Sequence, residues 1–441
     1  MRAPQDVLPT ADGVGLPWDV PVDDAVAAVA SARASCGDSF VLRSGGTHYL
    51  FTFSPTGVES FYALLEDSAS KGVADYLMLR RKLPDELFVG RRTLPGSLFR
   101  RDDVSSYLAN LEHALDATEA ELGERGSVDL FGLTRRLGHR MGLASWAGPG
   151  CADGDAFERL VAAFDTLDGS DAFVHPDAMA AVAASEMRDE RAALEEVARV
   201  IEDALRQHDS GATAEDGLFG RIVAAWESEP AEVRRRGIAM DVALIHIASM
   251  SNLMAALGWA VVDLLVHPER LRLVIEGDRD LAQRCALEST RLAQRSIMAR
   301  AVLAPVAFDT GDGVVVDVPA GWTIATLLPL LNTSVAPGLE RWDPDRWHRH
   351  RLADQRELAS PMLVTAFGHG RHSCPAQPFS LAAMTAAMTR LLGRYDMTPG
   401  WVEYPKPVPA QIGGVARSAG PCPVDYVRRR PPASSPAAAR I

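Results

Sequence analysis

Residues 366–384, AFGHGRHSCPAQPFSLAAM, turn on two glycines and then set a single cysteine at the start of an apolar helical run. Gly368 and Gly370 let the backbone bend tightly and approach a flat ligand, Arg371 and His372 supply cationic donors, and Cys374 precedes the stretch PAQPFSLAAMTAAMTRLL. The unpaired N–H groups of a helix N-terminus favour a thiolate over a thiol, and the thiolate is the form that ligates a metal. Spacing alone leaves two other readings of the sulfur. A lone cysteine before an apolar helix packs into a core, and His369, His372 and Cys374 are also residues of zinc-binding type. Zinc would need a fourth ligand or an open water position, and no Cys-x-x-Cys or matched histidine pair elsewhere supplies one.

The run from Phe367 to Ala376, FGHGRHSCPA, resembles the haem-binding loop of the cytochromes P-450, whose pattern is Phe-x-x-Gly-x-[Arg/His]-x-Cys-x-[Gly/Ala]. The resemblance implies haem b as cofactor, with Cys374 as the axial thiolate on iron, His372 as a propionate partner and Phe367 packed near the sulfur. Gly368 would be part of the same cofactor-binding loop. Three further matches follow the family's order. Glu288 and Arg291 stand three apart in an amphipathic helical stretch, which puts them on one face. Arg346 lies in RWDPDRW, and Arg300 in the strand-like run MARAVLAPVAF. Alone, the first is a common surface ion pair and the last an exposed strand-edge arginine. The resemblance makes Glu288, Arg291 and Arg346 a buried structural triad and Arg300 a second propionate ligand. It also makes Arg91 or Arg92 a propionate contact, although Leu87 and Phe88 replace the tryptophan or histidine usual one turn earlier.

The whole chain suits that reading. Its 441 residues, 47% of them hydrophobic, suffice for one large core, so a single domain is expected over residues 1–427, of mainly α class: a helical bundle around haem with small β-sheets. Residues 428–441, rich in proline, serine and alanine, read as a disordered tail. A net charge of −13 with no basic stripe excludes a nucleic-acid binder. Five scattered cysteines do not form a disulfide framework and fit a reducing cytosol. The proline- and glycine-broken start carries no signal pattern and no run is expected to span a bilayer, so the protein reads as soluble and cytoplasmic, the bacterial style of the family.

Along the chain, Asp23 to Arg33 reads as a helix, Phe40 to Arg43 and Tyr49 to Ser54 as strands, Val58 to Leu65 as a helix, and Gly72 to Arg101 as irregular. Helices follow from Asp102 to Trp226, the last pair joined around residues 186–189 where the family has its lid. Val233 to His267 is a long apolar helix that matches the one crossing the distal face of the haem. The family's Ala-Gly-x-[Asp/Glu]-Thr falls there on Ala248, Ser249, Met250, Ser251 and Asn252, so serine replaces the acid and asparagine the alcohol. Asn252 cannot titrate, yet an amide can donate or hold a water, with Ser251 completing a relay. As a helix-interior residue it has a plainer reading too, an amide bonded to a neighbouring carbonyl. The helix is similar to those of prostacyclin synthase, an isomerase, and of cholesterol 7-alpha-hydroxylase, an oxygenase. Val302 to Val318 alternates as strands around the turn at 309–313, and QIGGVA at 411–416 looks like the hairpin tip that closes the pocket. The proline that usually follows the Glu-x-x-Arg helix is replaced by Arg295 and Ser296.

The function implied is that of a haem-thiolate monooxygenase oxidising an apolar small molecule in bacterial secondary metabolism, with electrons from an external ferredoxin and ferredoxin reductase. The chain carries no nucleotide-binding glycine motif and no iron–sulfur cysteine cluster of its own. The alternatives are a redox-neutral isomerase or lyase, or a peroxide-using enzyme, acting on a pre-oxidised substrate, and a non-catalytic haem sensor or carrier.

Overall fold

Side-chain caps decide where many of the helices begin. The computed structural model describes residues 2–89, 104–169, 175–209, 218–311, 313–348, 351–352 and 358–429. In it, Asp24 accepts from the Val26 and Ala27 N–H groups ahead of α1 (Ala25–Cys36). The hairpin β1 (Ser39–Ser44) and β2 (Thr47–Thr52) follows, and Ser54 then caps α2 (Pro55–Ala63). After β3 (Ala69–Ser70), the Ser70 hydroxyl accepts from Val73 N–H and starts α3 (Lys71–Leu79), a helix where the sequence suggested irregular chain. The lysine and arginines of that segment masked a short helical repeat whose signal was the serine before it. Arg91 and Arg92 lie outside the described residues.

The helical layer comprises α4 (Val104–Leu122), α5 (Leu130–Trp146), α6 (Gly154–Leu167), α7 (Pro176–Ala184), α8 (Arg188–Asp209) and α9 (Leu218–Ala225). Between α4 and α5 stands the strand β4 (Arg125–Asp129), where the sequence suggested one helix following another, and the Asp129 carboxylate caps α5 through Gly132 N–H. Between α7 and α8, Glu186 and Met187 both take positive φ of 54°, a left-handed bend unusual for side chains other than glycine, at the junction where the lid was expected.

Through the middle runs α10 (Ala231–Val266), 36 residues packed against α5, α8 and α12 (Arg279–Ala293), with the short α11 (Pro268–Ile275) between. Gly142 lets α5 come close, since a Cβ there would sit 2.9 Å from Met250 Cγ. Among the described residues α10 is the one helix long and apolar enough to cross a membrane, which corrects the expectation that no run reaches that length; 72% of its apolar window is buried in the protein's own core.

The second layer is a sheet of order β1-β2-β8-β5-β3, formed with β5 (Ile297–Val302) and β8 (Thr323–Leu327). A separate hairpin of β6 (Val306–Asp309) and β7 (Val315–Val318) precedes β8, and α13 (Leu328–Ser334) follows it. The pair β9 (Trp347–His348) and β10 (Arg351–Leu352), the helix α14 (Gln377–Arg394), and the strands β11 (Tyr395–Pro399) and β12 (Pro423–Arg428) complete the chain, with β12 pairing both β11 and β4. Residues 428 and 429, expected to open the tail, are part of the fold. Arg428 is in the strand and bonds Tyr395, and the Arg429 guanidinium bonds the Leu392 and Tyr395 carbonyls. Apolar residues from the helices form one core and those of the sheet a second.

Candidate functional site

The glycine-bent loop is held from below before it reaches the cysteine. Asn332, buried at the end of α13, accepts from Thr365 N–H at 2.9 Å and donates to the Thr365 and Arg291 carbonyls at 2.9 and 3.0 Å. The Thr365 hydroxyl donates to Gly368 O, and Cys374 N–H closes the loop on Phe367 O at 2.7 Å. Gly368 has φ +81°, and a Cβ on it would lie 2.6 Å from His372 O, so glycine is required. Phe367 and Cys374 are partly buried against the helical core. The N–H groups of Ala376 and Gln377 pull the Cys374 thiol toward ionisation, as a helix start should, but burial pushes it up by more. The positive charge of a bound metal ion would favour the thiolate.

Arg300 and His372 meet at one side of this loop. The Arg300 guanidinium, buried under the Phe61 ring, donates to Ala69 O at 2.8 Å, lies 3.5 Å from Glu66 and touches the His372 ring nitrogen. Burial first, and then the facing Arg300 charge, hold His372 below its ordinary value. Arg300 Nε, Tyr62 O–H and His369 Nε2 are buried and have no hydrogen-bond partner, with the Tyr62 and His369 rings edge to face at 5.3 Å. Buried donors left unpaired cost on the order of 1–3 kcal/mol each, so this cluster fits an acidic group such as a haem propionate. The donor set fits as well. Among the described residues no group of three His, Cys, Asp or Glu side chains is arranged to hold a metal ion. One sulfur suits a metal whose remaining ligands come with a macrocycle rather than from the protein.

Behind the loop, Glu288 accepts from Arg291 Nε and Nη2 at 2.8 and 2.7 Å and from Arg346 Nε at 2.7 Å. Two further donors, Asp343 N–H at 3.0 Å and the Trp347 indole at 2.8 Å, complete the carboxylate, and Glu288 and Arg291 are fully buried. Sequence reasoning missed Trp347 and Asn332. The first stands beside Arg346, and the second is an amide in the apolar run LPLLNTS, the signal that was available.

On the opposite side, Ala248 and Asn252, one turn apart on α10, are its exposed mid-helix residues, and Ser251 is half-buried. Asn252 does not bond its own helix. Its Oδ1 accepts from Val415 N–H at 2.8 Å, across to the segment that reads as the pocket's hairpin tip. The absent proline now has a physical reason. Arg295 N–H donates to Gly414 O at 2.8 Å, a bond proline cannot make, and its guanidinium donates to the Gln411 and Pro409 carbonyls. The Trp259 indole holds Ala416 O at 2.6 Å.

The similarity to known proteins runs through this architecture. A cytochrome P450 monooxygenase, pyvB, of Aspergillus violaceofuscus is 24% identical over 409 residues, covering 86% of this chain and 80% of that protein. The chain is similar in sequence to cytochromes P-450. Human 24-hydroxycholesterol 7-alpha-hydroxylase is 26% identical over 214 residues, 42% of this chain and 43% of that protein. The alignments with this and other first-ranked curated relatives span less than half of those proteins' length. No family model matches the chain. Among solved structures, a mutant haem domain of cytochrome P450DA superposes with a TM-score of 0.72 at 18% identity over 96% of this chain and 98% of that one. CYP175A1 of Thermus thermophilus gives 0.64 at 18% identity over 92% and 95%. The P-450 fold is thus the fold of this chain.

Proposed function

We propose that this protein is a haem-thiolate monooxygenase that oxidises a small, mostly apolar molecule with dioxygen and electrons from an external ferredoxin-type partner, as a soluble enzyme of bacterial secondary metabolism. The observation that carries the reading is the meeting of a closed cysteine loop with unpaired buried donors at Arg300, Tyr62 and His369. Cys374 would hold the iron and Arg300 with His372 the propionates. Bound haem supplies the activation of dioxygen that inserts oxygen into an unactivated carbon. Relatives named for sterols and for fungal monooxygenases support an apolar substrate.

The chain's own residues set what happens on the distal side. Because a backbone N–H must meet oxygen, the Val415 bond fixes the Asn252 amide with its oxygen occupied and its Nδ2–H₂ as the group left to donate. Asn252 can orient dioxygen or a water but cannot pass a proton through itself. The Ser251 hydroxyl, or the substrate, would supply the missing relay. Meanwhile the 409–416 segment is tied to α10 and to Arg295, and as a pocket wall it would help to keep water out.

A second reading, a redox-neutral isomerase or lyase, rests on the same observation at Asn252, since such chemistry asks for no proton delivery. The two separate cleanly in turnover assays. A monooxygenase forms product only with dioxygen and reductant together; product from a pre-oxidised substrate under anaerobic, reductant-free conditions would overturn the first reading in favour of the second.

A further inference from the structure

We propose that a second cavity, behind the Glu288 cluster and walled by Trp259, Trp342 and Tyr404 over the carboxylate of Asp263, binds a small organic monocation of the alkylammonium class. The cavity measures about 560 Å³ and is formed by the C-terminal end of α10, by α12, by residues 340–342 and by Tyr404 with Pro407. That volume lies within the usual range for small-molecule sites.

Its walls are aromatic. Tyr404 stacks on Trp259 with ring centres 6.0 Å apart, and Trp342 stacks on His267 at 4.3 Å. Its floor is an anion. Asp263 is 3% exposed, and among the described residues its carboxylate is met by two neutral hydroxyls, Ser289 O–H at 2.5 Å and Tyr404 O–H at 2.7 Å. Hydroxyl donors satisfy one lone pair on each oxygen but neutralise no charge, so the remaining demand is for a cation. At the rim, Glu340 and Arg341 are exposed and paired at 3.8 Å, which cancels their charge. A carboxylate among aromatic faces favours a weakly hydrated organic cation, which gains cation–π attraction from the rings as well as the charge. One carboxylate without further ligands does not suit a divalent metal ion.

The groups around Asp263 make the site pH-sensitive. Burial pushes its carboxyl up to about 6, with the Glu288 charge adding, while Ser289, Tyr404 and His267 pull it down; Cys285 on α12 and Cys422 beside Tyr404 also face this cluster. Cation binding should therefore strengthen as pH rises through about 6 and fade below it.

The test is calorimetric titration of the full-length holoprotein with choline and with its neutral analogue, in which a tert-butyl carbon replaces the nitrogen. Choline is expected to bind about tenfold more tightly than the analogue at about pH 7.5, to lose about that factor near pH 5, and to leave the haem absorbance unchanged. Asp263→Asn should abolish the preference, and Trp342→Leu should weaken choline several-fold; the latter side chain is half-buried, so it keeps the test alive if the first variant misfolds. Equal binding of choline and the analogue, pH-independent affinity, a haem spectral shift on binding, or indifference to Trp342→Leu would overturn the proposal.

Discussion

Asn252 owes its orientation to Val415, and that single bond makes its replacement informative. Asn252→Thr keeps the helix and restores the alcohol common in the family, but gives up the 2.8 Å tie to the 411–416 segment. We expect haem content unchanged, with an altered ratio of product formed to electrons consumed; unaltered turnover and coupling would remove Asn252 from the mechanism. Glu288 is a different case, since it is fully buried between two arginines. Glu288→Gln leaves guanidinium charge without its counter-ion and should cost about 3–5 kcal/mol, read as a lower denaturant midpoint and loss of haem. Wild-type stability in the variant would contradict a structural role for the cluster. Much of this was legible in the sequence because Cys374, His372, Glu288, Arg291, Arg346 and Arg300 each sit in a short pattern of neighbours. The tie from Asn252 to Val415 was not, because it joins residues 163 apart, and neither was Asn332, whose partners are backbone atoms of the loop.

At the scale of elements, the 409–416 segment behaves as a strut between α10, Arg295 and the strand after it. Gly414 has φ +63°, and a Cβ on it would fall 2.1 Å from Asn252 Oδ1. Gly414→Ala should therefore push the strut away from the distal helix, weakening substrate-induced spin-state change by about tenfold while the carbon monoxide spectrum of the haem stays intact. An unchanged substrate titration would show that this segment does not line the pocket. Element boundaries also show where sequence periodicity fails. β4 is mostly exposed, so it lacks the alternation that marks a strand, and it exists because β12 pairs with it from the far end of the chain. Arg428 pairs with Tyr395 where β12 meets β11, so ordered structure reaches into the stretch that reads as a tail.

Across the whole molecule, the seam between α5 and α10 contains two buried histidines. The Trp146 indole donates to His246 Nδ1 at 3.1 Å, which leaves His246 Nε2–H to donate to His139 Nδ1 at 2.8 Å, and His139 Nε2 then faces Asp165 at 3.4 Å. Both rings are held below the usual histidine value, mainly by burial, and His246 also by the charges of His139 and Arg135. A depressed histidine contributes stability that is present above about pH 6.5 and is lost as pH falls toward its folded-state value. Acid should therefore loosen this helical layer before it reaches the carboxylates, and His246→Phe should flatten the stability profile between about pH 6.5 and 5. Parallel profiles for variant and wild type would show that the pair is not titrating.

The proposed function requires the Cys374 sulfur to ligate iron. The direct measurement is the absorbance of the reduced carbon monoxide complex of the purified protein and of Cys374→Ser. The wild type is expected to show the strongly red-shifted Soret band of thiolate ligation, and the variant to lose either that shift or the haem. A colourless wild type, or a variant whose carbonyl spectrum matches the wild type's, would contradict the account.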